Sequence, residues 1–169
     1  LARPPALVFN IAEGFGSRSR EAHVPAVCEM LGIPFTGSDP LTLAATLDKA
    51  VGKRLVAAAG LATPRFAVVE DADEIGGLDL GFPVIAKPLR EGSSIGIRRG
   101  SRVEDAATLT REVGRLLTDY SEPVLVEEFL PGAEFTVAVL GAGTDARALG
   151  VMEIVPRSGR TEDFVYSLE

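Results

Sequence analysis

Short apolar runs, separated by polar turns, alternate with stretches in which apolar positions recur at helical spacing. The apolar runs predict short and mostly buried strands at 6–10, 66–69, 82–88, 123–130, 134–140 and 148–155. The helical spacing predicts helices over 19–31, 41–47, 48–59 and, after a capping-box start at 101–104, as far as residue 120. This alternation is typical of an α/β or α+β protein with one domain or two small ones.

One apolar run differs from the others because it carries a lysine. Lys87 lies in the strand predicted at 82–88, and a loop with a carboxylate, two hydroxyls and two glycines follows. Removing an ammonium group from water is costly unless an anion meets it. The loop has the composition of an anion cradle, so we interpret 82–99 as a strand, a phosphate-binding loop and a returning strand. The alternative is an ordinary hairpin in which Lys87 extends to solvent.

The overall charge limits the partners. The chain of 169 residues has a formal net charge of −7, which argues against broad nucleic-acid binding. No apolar stretch is long enough to cross a bilayer, so no membrane partner is expected. The lone cysteine, Cys28, excludes an internal disulfide framework and suits a reducing cytoplasm. Any phosphate must therefore be held by a few local cations.

Carboxylates follow several of the predicted strands. Glu127 and Glu128 end the strand at 123–130, and Glu134 opens the next one. A strand-end carboxylate can accept a hydrogen bond from an exocyclic amine, although a solvated strand end has the same pattern. Glu13 follows the first predicted strand and is a candidate for binding a substrate ammonium group, with an exposed loop residue as the alternative.

Six segments together resemble, in order, the motifs of ATP-grasp enzymes and, within them, the D-alanine–D-alanine ligase group. They lie at 34–38, 47–49, 60–64, 83–96, 124–132 and 134–140. The resemblance implies an ATP-grasp fold with three parts. These are the end of a pre-ATP-grasp, Rossmann-like domain at 1–48, a central α+β subdomain at 49–133 and the start of a C-terminal subdomain at 134–169.

The same resemblance implies roles for individual residues. Lys49 and Lys87 match lysines that contact the ATP phosphates, and Ser93 matches a catalytic serine near the reacting groups. Substrate contacts are expected from Glu13 and Tyr166. The remaining implied ATP contacts are the loop residues Glu91, Gly92 and Ser94, the adenine-slot residues Glu127, Glu128, Phe129 and Leu130, and the ribose-binding Glu134.

The activity implied by the resemblance is ATP-dependent ligation of a carboxylate to an amine through an acyl phosphate. The implied cofactors are ATP and Mg²⁺, and the implied substrates are amino acids or short peptides. The resemblance also implies a pathway, peptidoglycan biosynthesis for the cell wall, and a homodimeric assembly. Residues 12–14 are Ala-Glu-Gly, where these ligases usually carry His-Gly. This difference favours the alternative of a ligase that joins a different acid or amine substrate. A non-catalytic nucleotide-binding module is the alternative outside the enzyme class.

We predict that these 169 residues alone bind nucleotide weakly and do not turn ATP over. The resemblance places the Mg²⁺ ligands after residue 169, so the chain has no metal site of its own to balance the charge on the γ-phosphate. A phosphate-release assay on these residues checks the prediction, and normal turnover contradicts it.

Overall fold

The computed structural model describes residues 3–156 and 163–167. Its helices are α1 (His23–Met30), α2 (Pro40–Leu47), α3 (Lys49–Ala58) and α4 (Ala106–Tyr120). Its strands are β1 (Phe66–Val69), β2 (Val84–Pro88), β3 (Arg102–Val103), β4 (Val124–Glu128), β5 (Glu134–Leu140) and β6 (Arg147–Ile154). Short 3₁₀ turns lie at Arg20–Ala22, Ala72–Gly77, Arg99–Ser101 and Gly143–Asp145.

Four of the strands form one antiparallel sheet in the order β1-β4-β2-β3. Because side chains alternate along β4, its two faces bury different groups. Val124 and Val126 join the core beneath α4, whereas Leu125 packs with Ala50 of α3 and with Leu89. The period of two therefore directs Glu127, two residues after Leu125, to the α3 side of the sheet.

The helix beginnings follow from capping side chains. Asp48 accepts a hydrogen bond from Val51 N at 3.1 Å, which confirms the predicted cap of α3. The capping box predicted at 101–104 is wrong, because Asp105 is the N-cap of α4 and accepts from Thr108 N at 2.8 Å. Ser101 is buried instead, and its hydroxyl donates to Glu112 Oε1 at 3.2 Å.

Two of the predicted strands are absent from the described part of the chain. Residues 6–10 make only a single parallel bridge, Val8 to Phe35, and Phe9 is 75% exposed. The returning strand predicted before residue 99 does not form either. Ser93 and Ser94 have φ values of 49° and 59°, so the chain turns there, and only β3 pairs with that edge of β2.

β5 and β6 form a separate antiparallel pair, as the apolar runs predict. The expectation of mostly buried strands does not hold for this pair, since its apolar side chains are largely exposed. They include Phe135, Val137, Val139, Leu140, Leu149, Val151 and Met152. Across the described ranges, no helix combines the length and the apolar character needed to cross a membrane.

Gly96 closes the loop after β2, and we predict that Gly96→Ala destabilises the fold. Its φ is 80°, and an added Cβ would lie 2.5 Å from Pro88 Cγ, so the free energy of unfolding should fall by about 2 kcal/mol or more. Gly114→Ala is the control, because that helical glycine has nothing within 4 Å of an added Cβ. It should stabilise by about 0.5–1 kcal/mol. Equal urea midpoints for the two variants would contradict this account.

Candidate functional site

The centre of the site is the buried carboxylate of Glu127 at the end of β4. Its Oε2 accepts a hydrogen bond from Lys53 Nζ of α3 at 2.6 Å, and its Oε1 accepts from Lys87 Nζ of β2. Burial alone would raise the pKa of Glu127, but the charge of Lys87 and the hydrogen bonds from both lysines outweigh it and lower the pKa. Glu127 is therefore an ionised hydrogen-bond acceptor held between two cations.

Lys49, the first residue of α3, ties that helix to the loop after β2. Its three N–H groups donate to the carbonyl oxygens of Pro88 at 2.8 Å, Leu89 at 3.4 Å and Glu91 at 2.5 Å. Burial and the nearby charge of Lys87 lower the pKa of Lys49 to about 8. A phosphate that binds Lys49 must replace at least one of these carbonyl contacts.

The loop after β2 is also bound to the first part of the chain. Ser93 Oγ donates to Glu13 Oε1 at 2.5 Å. Arg20 donates from Nη2 to the carbonyl oxygen of Arg90 at 2.8 Å, and its guanidinium lies 3.1 Å from Glu91 Oε1. Arg20 is buried, so its charge is compensated by the loop rather than by water. Residues far apart in sequence thus set the position of Ser93.

An open cavity of about 420 Å³ lies beside Ser93. It is bounded on one side by Gly92 and Ser93 and on the other by residues 10–13, Glu21 and Ser38. Burial and the negative charge of Glu13 raise the pKa of Glu21. Two carboxylates and two hydroxyls in one cavity favour a ligand that carries hydrogen-bond donors or positive charge.

The three residues predicted to line the adenine slot beside Glu127 follow it along the chain. The Glu128 carboxylate lies 3.5 Å from the guanidinium of Arg65. The Arg102 Cζ atom lies 4.9 Å from the centre of the Phe129 ring, over its face. Leu130 is 66% exposed. Phe129 and Leu130 are apolar, whereas Glu128, one residue after Glu127, lies on the other face of β4.

The remaining predicted site residues are Glu134 and Tyr166. Glu134 begins β5 opposite Ile154, and the ring of Tyr166 lies 6.4 Å from that of Phe164. No contact found among the described residues joins either side chain to Glu127 or to Ser93.

Sequence reasoning missed two cations of the site, Lys53 and Arg20. Lys53 lies four residues after Lys49, so the helical period places both on one face of α3. That spacing is a signal that could have identified Lys53. Arg20 had none, because its contacts with the loop depend on tertiary structure.

The sequence was also compared with protein families and with known proteins. A family model described as the D-ala D-ala ligase C-terminus matches residues 55–167. The chain is 42% identical over 141 residues to an uncharacterised protein of Sinorhizobium fredii, y4sG, with coverage of 83% of this chain and 41% of that protein. It is 40% identical over 150 residues to the D-alanine–D-alanine ligase of Methylibium petroleiphilum, and the match covers 83% of this chain and 45% of that protein. The chain therefore spans less than half the length of these curated relatives.

Solved structures agree with the sequence matches. The VanG D-Ala:D-Ser ligase of Enterococcus faecalis superposes with a TM-score of 0.72 at 29% identity, over 88% of this chain and 43% of that one. The D-alanine–D-alanine ligase of Helicobacter pylori superposes with a TM-score of 0.71 at 23% identity, over 89% of this chain and 47% of that one. These likenesses confirm the mixed α/β class and the ATP-grasp fold.

Proposed function

We propose, because this chain belongs to the D-alanine–D-alanine ligase C-terminal family, that it supplies the nucleotide-binding part of an ATP-dependent carboxylate–amine ligase. The observation that carries the proposal is the buried Glu127 carboxylate between two lysines, beside a loop rich in glycine and serine. A carboxylate suited to a purine amine and cations suited to phosphates occur there together.

The nucleotide fits this site with its two ends on different groups. Each oxygen of Glu127 binds one lysine, and a carboxylate has about four lone pairs, so it can still accept from an adenine amino group. Phe129 and Leu130 offer apolar surface to the ring. Lys87 and Lys49 lie on the side of the loop after β2, where we place the phosphates. Glu91, Gly92, Ser93 and Ser94 then cover the phosphates, and Glu134 remains our candidate for the ribose hydroxyls.

The substrate is placed in the cavity beside Ser93. The contact from Ser93 to Glu13 sets the hydroxyl at the edge of the cavity, where a carboxylate substrate would meet the γ-phosphate. Glu13 is positioned to bind the substrate ammonium group, and Tyr166 remains a candidate contact. Since Glu13 stands where these ligases usually carry the histidine of a His-Gly pair, an amino acid or peptide other than D-alanine is the second candidate substrate.

The proposed reaction has two steps. The γ-phosphoryl group passes from ATP to a carboxylate oxygen of the substrate, which gives an acyl phosphate and ADP. An amine then attacks the acyl carbon, the C–N bond forms, and inorganic phosphate leaves. The contribution of these residues is positioning and charge neutralisation by Lys49, Lys87 and the loop, and no side-chain nucleophile is required.

Magnesium supplies charge neutralisation to phosphoryl transfer in such enzymes. Within residues 3–156 and 163–167, no three histidine, cysteine, aspartate or glutamate side chains are arranged to hold a metal ion. We therefore assign no step to Mg²⁺ at these residues. A cytoplasmic setting, a homodimer, cell-wall synthesis and the three-part division at residues 48 and 133 remain parts of the proposal.

Nucleotide affinity should depend on pH through Lys49. The pKa of Lys49 is lowered to about 8 in the free chain, and a bound phosphate would raise it. ADP affinity is therefore full below about pH 8 and should weaken by up to about tenfold per unit above it, as the free lysine loses its proton. Calorimetric titration of ADP across this range measures the slope.

Lys49→Arg is the matched control, because arginine stays charged throughout the range. It should flatten the profile between about pH 8 and pH 10. A profile that remains equally steep in this variant would remove Lys49 from the phosphate site.

The ligase activity is tested on the complete natural protein by phosphate release from ATP with D-alanine, D-serine and other amino acids. Phosphate release should require an amino acid. Glu13→Gln should raise the KM for that amino acid about tenfold or more, because a charged hydrogen bond is lost. Glu29→Gln, an exposed change on α1, should leave KM unchanged. Nucleotide binding without amino-acid-dependent release would contradict the ligase and favour a binding module.

A further inference from the structure

Lys53 is a partly buried cation that has no role in the proposed mechanism. Its Nζ lies 2.6 Å from Glu127 Oε2, 2.7 Å from Thr63 Oγ1 and 5.1 Å from the centre of the Phe66 ring. Its side chain is 12% exposed. Hydrogen bonds in two directions and an aromatic ring fix this ammonium group.

Glu127 thus has two cationic partners with different surroundings. Lys87 extends from β2, which leads directly into the loop after β2, and its side chain is more exposed than that of Lys53, at 19% against 12%. A phosphate group would compete with Glu127 for Lys87, because both are anions and the ammonium is a compact charge. Lys53 has a second partner, because its Nζ also donates to Thr63 Oγ1, and none of its described contacts is with the loop after β2.

We propose that Lys53 is a positioning residue for purine recognition: it keeps the Glu127 carboxylate ionised and aimed at the purine amino group while Lys87 is engaged with phosphate. The proposal rests on the nucleotide site proposed above and assigns one further property to it. That property is selectivity for a 6-amino purine over a 6-oxo purine.

The selectivity follows from hydrogen-bond chemistry. An ionised carboxylate only accepts, so it pairs with the exocyclic amine of adenine and repels the oxo group of hypoxanthine. A protonated carboxyl can donate and would tolerate the oxo group. Without Lys53, a buried Glu127 would either take up a proton or turn back to Lys87, and in both cases the amine would lose its preferred acceptor.

The test compares ADP with IDP, which differ at this position of the base, in titrations of the complete natural protein. The wild-type chain should prefer ADP, and Lys53→Met should reduce that preference about tenfold or more, mainly through weaker ADP binding. A purely structural role would weaken both nucleotides alike and leave the ratio unchanged. Lys53→Arg restores the charge and should recover most of the preference.

Arg54→Met is the matched control. Arg54 neighbours Lys53 and its guanidinium lies 5.9 Å from the same Phe66 ring, but it is exposed and its described contacts do not include Glu127. Its loss should leave the ADP-to-IDP ratio as in the wild type. A ratio that falls equally in both variants would mean that general positive charge, not the position of Lys53, is responsible, and would overturn the proposal.

Two further outcomes separate this proposal from the nucleotide site itself. If ADP binds and Lys53→Met keeps the wild-type ratio, the role of Lys53 is wrong and the site stands. If the complete wild-type protein binds neither nucleotide at millimolar concentration, both fail. If Lys53→Met does not fold, Thr63→Val tests the same role, because it removes the hydroxyl that accepts a hydrogen bond from Lys53. It should reduce the ratio, and an unchanged ratio would overturn the proposal.

Discussion

The rest of the site depends on the charge balance around one buried carboxylate. Glu127 compensates Lys53 from α3 and Lys87 from β2, and neither lysine would be stable there without an anion. The group joins a helix to the central strand pair of the sheet and carries one net positive charge. That surplus charge suits the phosphates of a nucleotide, and the carboxylate suits a purine amine, so the structural ion pairs and the proposed binding chemistry are the same contacts.

The loop after β2 is held by groups on both of its sides. Lys49 binds its carbonyl oxygens from α3, while Arg20 and Glu13 bind it from the first part of the chain. Each of these contacts involves a charged side chain. This arrangement places Ser93 between the proposed phosphate site and the cavity in which we place the substrate. The position of one hydroxyl therefore depends on segments about 80 residues apart.

Local patterns predicted much of the fold and part of the site. The helix at α3, its Asp48 cap and the strand at β4 follow from short-range spacing and capping chemistry. The same reasoning failed for 6–10 and for the returning strand, because a strand exists only where a partner pairs with it. The capping box at 101–104 failed because Ser101 is buried against Glu112, a partner that its own segment does not reveal.

By itself the sequence determined which chemical groups are available: a lysine in an apolar strand, a loop of glycine and serine, and carboxylates after strands. These depend on residue type and short spacing, which are local properties. Only the tertiary structure decided which charges meet. It gave Glu127 two lysine partners, joined Lys49 to backbone carbonyl groups and brought the Glu13 carboxylate to the Ser93 hydroxyl. Such pairings join residues that are distant along the chain, and their energy depends on burial, which no local pattern specifies.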